Sequence, residues 1–103
     1  NDVINIAAPK GMPIIAIEDV VVVYAGNEMQ GFGNLILLKH PGGWMSSYGH
    51  AAKLLVERGA KVQKGQSIAL VGNTGSVNEP QLHFELRNMK QNGKVVNPEL
   101  YLE

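Results

Sequence analysis

The sequence contains no cysteine, little charge and no long apolar run, and each absence excludes a class of protein. Without cysteine among its 103 residues, the chain cannot form a disulfide bond, a thiolate metal site or a cysteine nucleophile. Nine basic and nine acidic residues cancel, and no basic stripe is available to neutralise phosphates, which argues against nucleic acid as a partner. No apolar run approaches the ~18 residues that cross a bilayer, so we expect no membrane span in this chain.

Glycine and proline are plentiful and divide the chain into short segments. Twelve glycines and five prolines separate short apolar runs, a pattern typical of all-β proteins. We therefore predict an all-β fold, a compact antiparallel β-sandwich or open barrel, with a short C-terminal helical turn at residues 97–102. Asn97 followed by Pro98 is a favourable start for such a turn. Strands are predicted at residues 4–7, 14–17, 20–25, 35–40, 44–50 and 80–88.

Two of these strands carry patterns that predict their surroundings. The β-branched run at residues 20–23 does not alternate with polar residues, which predicts a strand covered on both faces. In the strand at 44–50, alternation places Trp44, Ser46, Tyr48 and His50 on one face.

The length of the chain fits one domain, residues 1–103. Residues 10–16 and 64–69 each begin with Lys-Gly and end with Ile-Ala. This repetition predicts two related hairpins and a barrel-sandwich-like duplication. Because the chain starts at Asn1 without an initiator methionine or signal sequence, we expect this domain to be a fragment of a longer protein.

The segment at residues 80–85 (PQLHFE) is the strongest candidate for a functional site. As a strand, it places Gln81, His83 and Glu85 on one face, and Leu82 and Phe84 on the other. Metal and acid-base sites are built from a histidine held on a rigid strand beside another polar side chain. The alternative is a histidine with a purely structural role, which is the commoner case for a lone strand histidine.

Several further motifs occur in a fixed order around this strand. They are NIAAPKG at residues 5–11, VVYAG at 22–26, YGH at 48–50, the glycine-bearing stretch 59–75, QLHFE at 81–85 and VNP at 96–98. Together they resemble a LytM-type (lysostaphin-like) peptidoglycan endopeptidase domain, and the resemblance covers residues 1–102.

Active members of this family are zinc peptidases, and the resemblance assigns their site to particular positions. The metal is held by the His and Asp of a His-x-x-x-Asp motif and by the second His of a His-x-His motif. On this chain those positions are Asn1, Asn5 and His83. The two histidines that assist the bound water correspond to His50 and Gln81. One metal ligand of three and one assisting histidine of two are therefore retained.

A catalytic zinc site needs three protein ligands and an open fourth position. An asparagine at position 5 has the shape of aspartate without its charge, which forfeits about 4 kcal/mol of attraction per unit charge at ~4 Å. The remaining histidine, His40, lies in the preceding strand, and no serine has a nucleophile-elbow setting. We therefore predict no catalytic residues, no metal ligands and no bound zinc.

These substitutions make the chain similar to the degenerate, division-associated members of the family, of the NlpD, EnvC and DipM type. That resemblance implies a catalytically inactive domain that activates a cell-wall N-acetylmuramoyl-L-alanine amidase in the periplasm or cell envelope. The remnant cleft would offer hydrogen bonds through five side chains and apolar anchors through two. The hydrogen-bonding residues are Asn1, Asn5, His50, Gln81 and His83, and the anchors are Trp44 and Tyr48.

Two other functions stay open from the sequence. The chain could be an active zinc endopeptidase, with ligands supplied by residues other than those assigned. It could also be a passive peptidoglycan-binding module. In addition, Val3 and Val20 stand where the family usually has glycine, which implies either ordinary β dihedrals at both positions or a reshaped cleft entrance.

Overall fold

The computed structural model of this protein describes residues 3–88 and 94–96. These residues form ten strands and one short 3-10 turn at Pro41–Gly43. The strands are β1 (Val3–Ala7), β2 (Pro13–Ile15), β3 (Val20–Gly26), β4 (Asn34–Lys39), β5 (Trp44–Ala51), β6 (Lys53–Leu54), β7 (Lys61–Val62), β8 (Ser67–Leu70), β9 (Gln81–Asn88) and β10 (Lys94–Val96). The helical turn predicted at residues 97–102 and the site position Asn1 lie outside the described residues.

The strands pair into two antiparallel sheets that do not close into a barrel, which confirms the predicted fold class. The larger sheet has the order β1-β9-β5-β4-β3-β7, and β10 also pairs with β9. The smaller sheet has the order β2-β8-β6. In the described part of the chain, no helix is long and apolar enough to cross a membrane.

The hydrophobic core lies between the sheets and is built mainly from branched aliphatic side chains. Ile36, Leu38 and Ile68 are fully buried, and each contributes roughly 1.5–3 kcal/mol by leaving water. From β9, Phe84 and Leu86 point into the same core. The apolar face predicted for this strand is therefore the face that packs.

The prediction that β3 is covered on both faces is wrong. Val20 and Val22 are buried in the core, whereas Val21 is 41% exposed. A run of four valines satisfies the preference of a strand for β-branched residues on either face, so composition alone does not reveal which face is covered.

The register of three neighbouring strands places the predicted site. His83 on β9 lies opposite Asn5 on β1 and opposite Gly49 on β5. Directly opposed residues of antiparallel strands share one face of the sheet. His83 and Asn5 therefore lie side by side on the face opposite to Phe84 and the core.

Candidate functional site

A chain of hydrogen bonds runs from β1 along β9 through His83. The Nδ1 atom of His83 lies 2.8 Å from the amide oxygen of Asn5, and its Nε2 atom lies 3.2 Å from a carboxylate oxygen of Glu85. The other carboxylate oxygen of Glu85 accepts a hydrogen bond of 3.1 Å from Arg87. Both ring nitrogens of His83 are therefore used in contacts within the protein. Glu85 is buried, and these two partners offset the cost of burying its charge.

His50 enters the same site because its backbone adopts an unusual conformation. Its φ angle is 67°, the only positive value at a residue other than glycine in the described ranges. Its ring centroid lies 5.7 Å from that of His83, and its Nδ1 atom lies 2.8 Å from the carbonyl oxygen of Thr74. Regular alternation predicted His50 on the face of Tyr48. That prediction is wrong for His50, because the positive φ rotates its side chain towards His83.

Two loops, at residues 27–33 and 71–80, form the walls of the site and are joined by hydrogen bonds. The backbone N–H of Ser76 donates to the carbonyl oxygen of Gly31 over 3.1 Å. The hydroxyl of Thr74 accepts a hydrogen bond from the backbone of Asn34 and donates to the carbonyl oxygen of Ala51.

The loops approach so closely that glycine is required at Gly33, where a Cβ atom would lie 2.3 Å from the Thr74 hydroxyl oxygen. The same holds at Gly75, whose φ is 82° and whose Cβ atom would lie 2.6 Å from the carbonyl oxygen of Gly31.

Between these walls lies an open cleft with a volume of about 370 Å³. Most of the lining side chains are polar, and among the described residues the lining includes no Asp, Glu, Lys or Arg. They are Asn5, Gln30, Gly31, Phe32, His50, Ser76, Val77, Gln81 and His83. Four of the seven residues predicted for the site are thus brought together.

Tyr48 and Trp44, the two predicted apolar anchors, are not brought to this cleft. Tyr48 lies on the core face of the sheet, with its ring centroid 5.3 Å from that of Phe84. Trp44 lines a different cavity of about 230 Å³, together with Phe84 and Leu86. Both residues belong to the face of β5 that packs on the core.

The sequence matches the family model of peptidase family M23 over residues 1–98. The chain belongs to peptidase family M23. The LytM-type resemblance is therefore confirmed. This M23 chain is 45% identical over 105 residues to cell division protein DipM of Caulobacter vibrioides (strain NA1000 / CB15N), covering 99% of the chain and 17% of DipM. It is 47% identical over 102 residues to murein hydrolase activator NlpD of Escherichia coli (strain K12), covering 99% of the chain and 26% of NlpD.

Solved M23 structures share the fold. The catalytic domain of the antimicrobial peptidase lysostaphin from Staphylococcus simulans superposes with a TM-score of 0.85 at 32% identity, covering 94% of this chain and 74% of that domain. A zinc-containing peptidase from Vibrio cholerae gives a TM-score of 0.76 at 34% identity, covering 82% of this chain and 26% of that one. The chain thus shares its fold with peptidases, while DipM and NlpD carry the names of a division protein and an activator.

Of the described positions that the LytM-type resemblance assigns to the ligands of zinc, only His83 carries a usual zinc ligand. Asn5 offers a neutral carboxamide, which is not among the usual ligands of zinc. The 2.8 Å between His83 Nδ1 and the Asn5 amide oxygen is a hydrogen-bond distance. In residues 3–88 and 94–96, no group of three His, Cys, Asp or Glu side chains is arranged to hold a metal ion.

Two groups of residues were not identified from the sequence. Thr74 and Phe32 shape the cleft, and the glycines beside them were the available signal, because close loop packing demands glycine. His40 is buried on the other side of the sheet, where it contacts Glu18 and the Ser46 hydroxyl, the latter at 2.6 Å. Ser46 also donates to the Tyr48 hydroxyl over 2.9 Å. His40 therefore has a structural role and does not line the cleft.

Proposed function

We propose that this domain is a catalytically inactive M23 domain that binds and activates a cell-wall N-acetylmuramoyl-L-alanine amidase in the bacterial envelope. The observation that carries the proposal is the direct hydrogen bond between Asn5 and His83, at the two positions where a zinc peptidase holds its metal. An amide in contact with the imidazole replaces the carboxylate and metal that would activate a water molecule.

The names of the relatives support the activator role. NlpD is a murein hydrolase activator and DipM is a cell division protein, and both match 99% of this chain. An envelope location is supported by the relative from Pseudomonas aeruginosa (strain PAO1), which is named a lipoprotein NlpD/LppB homolog and is 44% identical over 102 residues. The chain spans 17–26% of DipM and NlpD, so the activity of any longer protein is part of the proposal.

The cleft is suited to hold a segment of the partner. Its walls are fixed by backbone hydrogen bonds and by close glycine contacts, so little order has to be created on binding. The amides of Asn5, Gln30 and Gln81 can each donate and accept, as a peptide backbone requires.

Activation requires that the domain bind the open form of the amidase more tightly than the closed form. A tenfold shift in that equilibrium corresponds to a differential binding free energy of about 1.4 kcal/mol. A few hydrogen bonds made only with the open form would be sufficient.

The test measures release of dye-labelled fragments from sacculi by a purified amidase, with and without the domain. Gln81→Arg places a cation in a cleft whose described lining residues include no carboxylate, and we expect it to reduce stimulation at least tenfold. Gln63→Arg is the matched control, because Gln63 follows β7 at the far edge of the large sheet. It should change stimulation less than twofold.

Metal analysis of the same preparation separates the rival functions. Near-stoichiometric zinc that disappears in His83→Ala, together with cleavage of sacculi by the domain alone, would establish a peptidase and refute the proposal. Sedimentation of the domain with sacculi, without any gain in amidase activity, would establish a passive binding module instead.

A further inference from the structure

His50 presents one hydrogen-bond acceptor to the cleft. Its Nδ1 atom faces the carbonyl oxygen of Thr74 at 2.8 Å, and a carbonyl oxygen can only accept. Nδ1 therefore carries the proton, and in the neutral ring Nε2 carries the lone pair. The backbone of His50 is fixed as well, because its N–H donates to the carbonyl oxygen of Phe32 over 2.8 Å.

The Nε2 atom of this ring is open towards the cleft. His50 is 5% exposed and lines the cavity, and within the described ranges no hydrogen bond engages its Nε2 atom. Among the described residues that are not exposed, every side-chain nitrogen or oxygen atom that is inaccessible to solvent has a hydrogen-bond partner. With respect to the described residues, Nε2 therefore reaches the surface of the cleft. A ring that is nine-tenths buried thus directs a single acceptor at whatever occupies the cavity.

The lining of the cleft restricts the donor that can reach this atom. A lysine or arginine of the occupant would lose hydration there, and among the described residues the lining provides no carboxylate to compensate. Glu85, which contacts His83, is already paired with His83 and Arg87. An uncharged donor, such as a backbone N–H, a hydroxyl or a carboxamide, carries a much smaller desolvation cost. The neighbouring amides of Asn5 and Gln81 add paired donors and acceptors that suit a peptide segment.

We propose that His50 Nε2 accepts a hydrogen bond from an uncharged N–H or O–H group of the amidase segment that occupies the cleft. This inference rests on the proposed function, since it specifies the chemistry of the partner at the same site. His50 is thereby a recognition residue whose tautomer is set by Thr74.

The first experiment needs no partner. In ¹⁵N-histidine-labelled domain at neutral pH, long-range ¹H–¹⁵N correlation spectra distinguish a protonated ring nitrogen from one with a free lone pair. We expect His50 to carry its proton on Nδ1. A ring protonated on Nε2 would overturn the inference, whatever the amidase does.

The second experiment adds a purified amidase to the labelled domain. The Nε2 resonance of His50 should move towards the frequency of a hydrogen-bonded nitrogen, while the resonances of His40, on the other side of the sheet, stay unchanged. Binding of the amidase without a change at Nε2 would overturn the inference. So would a change produced by soluble muropeptides and not by the amidase, because the occupant would then be peptidoglycan.

The third experiment removes the acceptor without straining the backbone. Asparagine tolerates the positive φ of position 50, so His50→Asn should fold. We expect it to bind the amidase about tenfold more weakly, the usual effect of one hydrogen bond. Gln63→Asn, at the far sheet edge, should bind like the wild type. Unchanged affinity in a folded His50→Asn variant would refute the role of His50, whereas absence of binding by the wild type would refute the proposed function itself.

Discussion

Replacing Tyr48 by phenylalanine removes one buried hydroxyl and leaves the ring in place against Phe84. The hydroxyl accepts a hydrogen bond of 2.9 Å from Ser46, within the buried group that also contains His40. Ser46 keeps its contact with His40 in the variant, so no polar atom is left without a partner. At neutral pH we expect the substitution to cost about 1 kcal/mol of unfolding free energy, which is typical of one neutral hydrogen bond.

The same substitution should become stabilising at high pH. Burial raises the pKa of Tyr48 from 10.0 to about 12, with a smaller contribution from the charge of Glu18 and an opposing one from the Ser46 hydrogen bond. Because the folded protein holds this proton more tightly than the unfolded chain, the contribution is complete below pH 10 and is lost as the pH rises towards 12. The full loss is roughly 2.7 kcal/mol, and about half of it has occurred at pH 11.

The assay is urea unfolding of the wild type and of Tyr48→Phe at several pH values between 7 and 11. All other titrating groups are common to both proteins, so the difference in unfolding free energy isolates Tyr48. We expect a difference of about 1 kcal/mol in favour of the wild type at pH 7, falling to zero near pH 11. A difference that stays constant across this range would refute the assignment of Tyr48 to the buried face of β5.

Two further predictions concern the walls of the cleft and the restoration of a zinc site. Gly75→Ala adds a Cβ atom 2.6 Å from the carbonyl oxygen of Gly31 at a positive φ, so it should cost about 2–4 kcal/mol and reduce amidase stimulation. Gly65→Ala, with a similar φ and no atom within 4 Å, should cost only about 1 kcal/mol in thermal unfolding, and equal effects would contradict the close packing. Asn1→His with Asn5→Asp should restore a three-ligand site, so that zinc at a hundred times its Kd stabilises the variant by about 2.7 kcal/mol. A melting temperature of this variant that does not change when zinc is added would refute the assignment of these ligand positions.

The sequence predicted well those features that depend on alternation within a regular strand. Gln81, His83 and the buried Phe84 lie on the predicted faces of β9, and Asn5 lies beside His83 because β1 pairs with β9 in register. Side chains of a strand alternate between its two faces, and this alternation depends only on the local sequence. The pairing register then decides which residues of neighbouring strands lie beside them on the same face. The faces of β9 were therefore predictable from alternation, whereas Asn5 was assigned to the site from the family resemblance.

The failures arose where the backbone departs from that regularity. The positive φ of His50 moves its ring to the opposite face from Tyr48. Histidine is enriched at positive φ, but such residues are still a small minority, so the residue type alone does not predict this conformation. Trp44 and Tyr48 were assigned to the cleft because His50 was assumed to share their face. One irregular dihedral angle thus accounts for the misplacement of both Trp44 and Tyr48.

The cleft can keep its shape without a metal because different residues provide the shape and the chemistry. In a zinc site, the ion itself would join β1 to β9. Here five paired positions between those strands and the Asn5–His83 hydrogen bond make the same connection. The walls depend on Thr74 and Gly75, neither of which occupies a ligand position. A change of residue at a ligand position therefore leaves the walls of the cleft in place, and in the proposed function the lone pair of His50 serves binding.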